Sequence, residues 1–340
     1  MTIDFVAKED ALKIIQKLRD NPQEKIPPAE LNFKGVSFRG EDLKGLYLNG
    51  ASFVEADLSD ADLSGAHLFM ADFRKASLVK ATLNDVELTG ANLSEANLED
   101  AYAERAGLGM AILHRTRMFN TVLDDSTLTK ADLTGADLRH ARLNRVRMRE
   151  AKLHKTDCTG ADFRGADMSL SDFTGAIMNN ADMRDARLRQ VSGYEAAKWY
   201  GVDIRNINFA GAYRLRRHVV DENYLKEFRD ASKKNYLIYK IWSVTSDCGR
   251  SLTRWCLWIF GIILLFSLLY AYSGVDYGRY DNWIGPFYYS VVTITTLGYG
   301  DIVPATPMAR IIAICEVFIG YIMLGGLLSI FTNKMARRGE

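Results

Sequence analysis

Proline and cysteine are both scarce in this chain of 340 residues, at 6 and 4. Four cysteines over such a length exclude a disulfide scaffold. Six prolines and 26 glycines, with no three-residue period, exclude collagen-like and Pro/Gly low-complexity chains. An excess of one charge sign is missing too. Lys and Arg number 43 against 42 Asp and Glu, a net charge of +1, so the whole chain offers no electrostatic case for a nucleic-acid partner. Disorder is excluded from the other side, by 48% hydrophobic and 11% aromatic residues. There is no Rossmann glycine pattern, no phosphate-binding loop and no zinc-ligand spacing. His67, His114, His140, His154 and His218 are scattered, as are Cys248, Cys256 and Cys315, while Cys158 falls on a position expected to be buried. No catalytic constellation emerges, and the chain is read as a non-enzyme.

The most informative absence is local. Trp255–Tyr272 carries no charged residue, and Ile311–Thr332 carries only Glu316. As helices they would be roughly 27 and 33 Å long, enough to cross a hydrocarbon core of about 30 Å. Lys233, Lys234, Lys240, Arg250 and Arg254 precede the first span, and Lys334, Arg337 and Arg338 follow the second. The loop between them holds Asp276, Arg279, Asp281 and Asp301. This asymmetry predicts both termini in the cytoplasm of a multi-pass protein of the plasma (bacterial inner) membrane. No signal peptide is expected at the N-terminus.

The first 250 residues behave differently. An apolar residue recurs every five positions in one register, from Phe33, Phe38, Leu43 and Leu48 on to Leu188. The residue two places earlier is usually Ala, and the other three are polar. About 32 such repeats occur without an insertion. A period of five matches neither a helix nor a long strand. Two inward and three outward positions describe one side of a coil whose neighbours stack into ladders.

This motif, Ala-Asp/Asn-Leu-polar-polar, resembles the pentapeptide-repeat family. The resemblance implies a right-handed, four-sided parallel β-solenoid with four repeats per coil. That makes about eight coils and a rod roughly 38 Å long. Residues 1–30 are read as an N-terminal capping helix, with Phe5, Ala11, Ile14, Ile15 and Leu18 on one face and Pro22 as its stop. Residues 31–213 form the solenoid with an irregular C-terminal cap from Val191, where Ile204 and Phe209 resume the period shifted by one residue. Residues 214–254 read as one or two amphipathic linker helices carrying Leu225, Phe228, Tyr236, Tyr239 and Trp242, with a break at Ser246–Arg250.

Residues 255–340 complete the plan. Between span 255–272 and span 310–332 lies a run too short to cross, 286–295, expected to be a re-entrant pore helix. It leads into Thr296-Leu297-Gly298-Tyr299-Gly300-Asp301. This resembles the potassium-channel signature, threonine-valine-glycine-tyrosine-glycine-aspartate, with Leu297 at the valine place. The resemblance implies an all-α two-span pore domain that conducts K+ passively. Carbonyls of Thr296, Leu297, Gly298, Tyr299 and Gly300 would replace the ion's water, with K+ sites at Thr296–Tyr299 and Asp301 at the mouth. Potassium is the permeant ion, and no organic cofactor is expected. One filter strand per chain implies a homotetramer. With no arginine ladder there is no voltage sensor, and no further domain is expected after the second span.

Gly320 is expected to be the gating hinge, with Gly325 and Gly326 as a second flexible point. Tyr321, Leu324, Leu328 and Thr332 are expected to line the cavity and inner gate. The intramembrane Glu316 is expected to be protonated or hydrogen-bonded behind the filter near Thr293 or Thr295, or else to line the cavity. The solenoid is expected to bias gating or assembly, or to hold an unidentified cytoplasmic ligand or protein. Its basic band (Arg139, Arg142, Arg145, Arg147, Arg149, Lys152 and Lys155) is expected to face anionic membrane lipid or a neighbouring subunit. Two alternatives remain open: a non-selective cation channel, and a membrane-tethered pentapeptide-repeat scaffold or DNA mimic.

Overall fold

A computed structural model of the chain describes residues 8–21, 26–207, 209 and 212–336. Phe5, Pro22, Arg337 and Arg338 lie outside the described residues. The chain divides into two compact units, Met1–Lys226 and Glu227–Glu340.

The first unit is a four-sided parallel β-solenoid. Each repeat contributes one β-bridge, and partners stand 20 residues apart, as in Asn32↔Ser52 and Ser52↔Asp72. Twenty residues are four repeats, one per side. The ladder runs along the stack: Phe53 N–H donates to Asp72 O and Asp72 N–H to Ala51 O. Ala and Leu positions point inward and are essentially fully buried, from Leu31 to Leu188. Phe53 and Phe73, one coil apart, stack with centroids 4.9 Å apart.

The motif's other positions have local causes. Asp or Asn before each central residue turns its side chain back onto the main chain two residues on, as Asp57 accepts from Ser59 N–H at 3.0 Å. The fifth position is left-handed in nearly every repeat, including Glu55 at φ 59°, Lys75 at φ 59° and Arg115 at φ 53°. Non-glycine residues tolerate this because the corner N–H finds a carbonyl on the next coil, as Glu55 N–H does on Arg74 O. Thr at the inward Ala place uses its hydroxyl to cap a buried carbonyl, as Thr116 does on Leu93 O and Thr121 on Leu98 O.

Both ends are covered. Helix α1 (Lys8–Asp20) buries Ala11, Ile15 and Leu18 in the solenoid core. At the far end the bridges change spacing, from Asp172↔Ser192 to Ile177↔Lys198 and Asp182↔Asp203. One extra residue is absorbed by the 3-10 turn Tyr194–Ala196. Trp199 then takes an inward place, with its indole N–H on Tyr194 O. The expected boundary at residue 213 requires correction. Helix α2 (Tyr213–Asp230) puts Leu215 and Val219 into the solenoid core, so its first turns are part of the cap and not of a linker.

The basic band is corrected as well. Arg139 pairs with Asp137, Arg142 with Asp124, Arg145 with Asp125 and Lys152 with Asp132. Arg147 hydrogen-bonds Thr127. The repeat length places these charges beside partners on the same or the neighbouring coil, so most of the band is neutralised within the rod.

The second unit is helical. Helix α3 (Lys233–Ser246) starts at an Ser232 N-cap and packs Trp242 against Phe228, centroids 6.4 Å apart. Asp247, Cys248 and Gly249 all have positive φ and break the chain before helix α4 (Leu252–Ser273). Strand β1 (Val275–Asp276) pairs antiparallel with β2 (Val303–Pro304), a two-residue closure that no sequence pattern signalled. Between them lies helix α5 (Gly285–Ile294), and after them α6 (Pro307–Ala336). Among the described residues, Leu252–Ser273 and Pro307–Thr332 are long and apolar enough to cross a membrane.

Two outcomes test the solenoid. Phe163 is fully buried, so Phe163→Ala is expected to cost about 3–5 kcal/mol, whereas Asp162→Ala, which removes one turn acceptor, costs about 1 kcal/mol. Thermal unfolding followed by circular dichroism separates the two. Burial opposes ionisation of Asp132, but hydrogen bonds from Thr134 and His114 outweigh it and hold its pKa at about 2, against an ordinary 3.8. A depressed carboxyl contributes stability above its unfolded value and loses it as pH falls through its folded value. Stability should therefore decline between about pH 4 and pH 2, and Asp132→Asn should flatten that limb of the melting-temperature profile.

Candidate functional site

The site is the segment joining α5 to β2. Pro286 sits in the first turn of α5, where its missing N–H costs nothing. The apolar α5 buries Tyr289, Ser290, Val292 and Ile294 against α4 and α6. Its last carbonyls are taken by the segment itself: Thr296 N–H donates to Thr293 O and Leu297 N–H to Val292 O. Residues 296 and 297 are thereby tied to the helix end, which carries partial negative charge.

From there the backbone alternates. Thr296, Gly298 and Gly300 have φ of 57°, 50° and 75°, while Leu297 and Tyr299 between them do not enter the left-handed region. Such alternation turns successive peptide planes so that carbonyls face one way. Gly298 and Gly300 take these angles without a Cβ clash. Thr296 does not, and a β-branched residue in the left-handed region is strained. Among the described residues, no carbonyl of Thr296–Gly300 accepts a hydrogen bond. In a chain whose repeats pair nearly every backbone group, these oxygens are set aside. Leu297 and Tyr299 are 58% and 65% exposed in the single chain. A cavity of about 400 Å³ borders the segment, lined by residues including Tyr289, Thr293, Thr296, Ala313 and Val317.

Sequence reasoning named Asp301 and Glu316 but missed the partners that hold them, Tyr288, Tyr270 and Ser290. Asp301 accepts a 2.6 Å hydrogen bond from Tyr288 OH, which ties the outer end of the segment to α5. Glu316 is fully buried. Its Oε2 accepts from Tyr270 OH at 2.6 Å and its Oε1 accepts from Ser290 Oγ at 2.5 Å. Its hydrogen-bond partners among the described residues are thus Tyr270 and Ser290, while Thr295 Oγ1 caps Val291 O. Glu316 on α6 thus joins α4, through Tyr270, and α5, through Ser290. The only sequence signal was the cost of a buried acid, which demands donors without naming them.

Helix α6 is continuous through its three glycines. A Cβ at Gly320 would lie 2.3 Å from Ile294 O, so this glycine lets α6 touch the end of α5. A Cβ at Gly326 would strike the Trp255 ring at 2.2 Å, and Trp255 Nε1–H donates to Met323 O. Gly325 meets nothing within 4 Å. Tyr321, Leu324, Leu328 and Thr332 are all exposed, covered by neither α4 nor α5.

Comparisons with known proteins find matches in both parts of the chain. Residues 257–337 match the family described as ion channel, and residues 32–68, 70–106, 111–150 and 151–190 match pentapeptide repeats. The chain is 38% identical to two pore potassium channel c of Oryza sativa subsp. japonica, over 19% of this chain and 18% of that protein. It is 29% identical to the calcium-gated potassium channel TvoK of Thermoplasma volcanium, over 23% of this chain and 25% of that protein. The chain therefore spans a quarter or less of either relative. Among solved structures, QnrB1, a plasmid-mediated fluoroquinolone resistance protein, is 18% identical with a TM-score of 0.44, over 55% of this chain and 95% of that one. Residues 257–337 thus resemble the ion-channel family and residues 32–190 resemble pentapeptide repeats, and among the described residues two helices of the channel-like part are long and apolar enough to cross a membrane.

Removing the Glu316 carboxyl takes the acceptor of the buried Tyr270 hydroxyl and one of the two acceptors of Ser290, whose Oγ also bonds Ile263 O at 3.1 Å. Glu316→Ala is expected to destabilise the second unit by about 2–5 kcal/mol, and Glu316→Gln, which keeps an acceptor and the volume, by less than half of that. Melting temperatures of the full chain in detergent check the ranking.

Proposed function

We propose that the chain is one subunit of a homotetrameric potassium channel that passes K+ down its gradient through Thr296–Gly300. The observation that carries this reading is the run of carbonyls left without hydrogen bonds on an alternating backbone, held between a non-spanning helix and two apolar ones. A potassium ion gives up its water only for a matching set of oxygens, and a ring of carbonyls supplies one. One chain offers one wall of such a ring. Four copies about a common axis close it and would cover the exposed faces of Leu297 and Tyr299.

The parts then take these roles. Thr296–Tyr299 hold the ion, Gly298 and Gly300 permit the backbone, and Asp301, braced by Tyr288, faces the outer mouth. The negative end of α5 favours a cation at the inner end. Tyr321, Leu324, Leu328 and Thr332 present the exposed side of α6 to the cavity. Among the three glycines, Gly325 bends at least cost, because Gly320 and Gly326 are held by neighbours. The basic flank of the first span supports a topology with both termini in the cytoplasm. Helix α3 exposes Leu237, Ile241 and Val244 at helical spacing beside Lys233, Lys234 and Lys240, a pattern suited to a lipid surface.

Potassium and sodium efflux from liposomes holding the full chain tests the channel. Potassium efflux is expected without matching sodium efflux, and Gly300→Ala should cut it roughly tenfold or more, since alanine resists the left-handed region. Equal flux of both ions, or an unaffected variant, would overturn the reading. Deleting 1–226 removes the whole first unit. A changed open probability in bilayer recordings is expected if the solenoid biases the gate, and an unchanged one limits it to assembly or docking.

A further inference from the structure

The charges on the solenoid are mostly spent on one another, which makes the exceptions informative. On one side of the last coils a groove of about 430 Å³ is lined by Arg149, Asp167, Ser169, Arg187, Arg189 and Gln190, among others. Arg149, Arg187 and Arg189 are exposed, and among the described residues none of their guanidiniums has an ion-pair partner within 4 Å. Arg147, on the same side, is occupied by Thr127, and Glu150 by Lys130.

We propose that Arg149, Arg187 and Arg189 form a binding groove for a phosphate-bearing anion. The repeat sets its dimensions. Arg149 and Arg189 share one row, two coils apart, and their backbones are separated by about 9.6 Å at the ordinary strand spacing. Ser169 stands between them, and its short side chain leaves a notch flanked by two long cationic ones. Arg187 comes from the adjacent row, where Arg147, Asp167 and Arg187 bridge in sequence. Three guanidiniums thus reach one opening, and their planar forks match phosphate oxygens in pairs.

Asp167 is the one carboxylate in the groove. Its Oδ1 accepts both the Ser169 N–H and the Ser169 hydroxyl, at 3.1 and 2.7 Å. Its charge is partly met by those donors, and three cations against one anion leave the groove net positive. The Gln190 amide adds a further donor at the rim.

The same phosphate chemistry is offered by a soluble phosphate compound and by an anionic lipid headgroup, so the test has two arms. The full chain, purified in neutral detergent, is titrated calorimetrically with inorganic phosphate and ADP in one arm. In the other it is titrated with short-chain phosphatidylglycerol. Saturable binding is expected in at least one arm. The R149Q/R189Q double variant should weaken it roughly tenfold or more, as loss of charged hydrogen bonds does, whereas R139Q, at an arginine already paired with Asp137, should leave it unchanged. Binding in the first arm assigns a free phosphate ligand, and binding in the second alone assigns a headgroup. Absence of binding in both arms, an unaffected double variant, or equal loss in R139Q would overturn the proposal. These outcomes do not depend on ion conduction, so they stand apart from the channel reading.

Discussion

The structure turns on where its backbone carbonyls go. In the solenoid, each coil hands its carbonyls to the next, and the rod exists because that ladder has no gap from Asn32 to Asp203. In the pore segment the same groups from Thr296 to Gly300 are withheld from hydrogen bonds among the described residues. Both regions use left-handed residues for this. In the repeats they turn a corner so that the ladder can continue, and in the segment they alternate with Leu297 and Tyr299. One unit satisfies its backbone internally, and the other leaves a few oxygens without a hydrogen bond among the described residues.

An unsatisfied, strained stretch must be held from outside. The hydrogen bonds of Thr296 and Leu297 to the end of α5 fix its inner part, and Tyr288 on Asp301 fixes its outer part. Behind it, Glu316 gathers α4, α5 and α6 through two hydroxyls. Gly320 brings α6 against the end of α5, and Gly326 makes room for Trp255. These contacts are the scaffold on which the proposed filter depends, and they explain why small and polar residues sit inside otherwise apolar helices.

Legibility in the sequence followed the range of each interaction. The five-residue period is local and repeated, so it disclosed the inward and outward positions and even the one-residue slip near Ile204, while the coil of 20 residues came from the resemblance that the motif carries. The apolar lengths of α4 and α6 and the two filter glycines were readable for the same reason. The left-handed corners were not, because Lys, Arg and Glu occupy them and the compensating hydrogen bond comes from the next coil. Tyr270 lies 46 residues from Glu316 and Ser290 lies 26 away, and no spacing rule links them. The basic band misled because its neutralising carboxylates stand 2, 18 or 20 residues away, which is adjacent only once the coil is closed. Helix α2 misled because Leu215 and Val219 look no different in sequence from Leu225 and Phe228, yet they belong to the solenoid core.

The central claim is that the oxygens of Thr296–Gly300 select potassium. The most direct measurement is the reversal potential of purified full-length protein in a planar bilayer, with potassium on one side and sodium on the other. The account predicts a reversal potential displaced far towards the potassium equilibrium value, and one that follows the potassium concentration when it is varied. A reversal potential near zero, indifferent to which of the two ions is present, would contradict it.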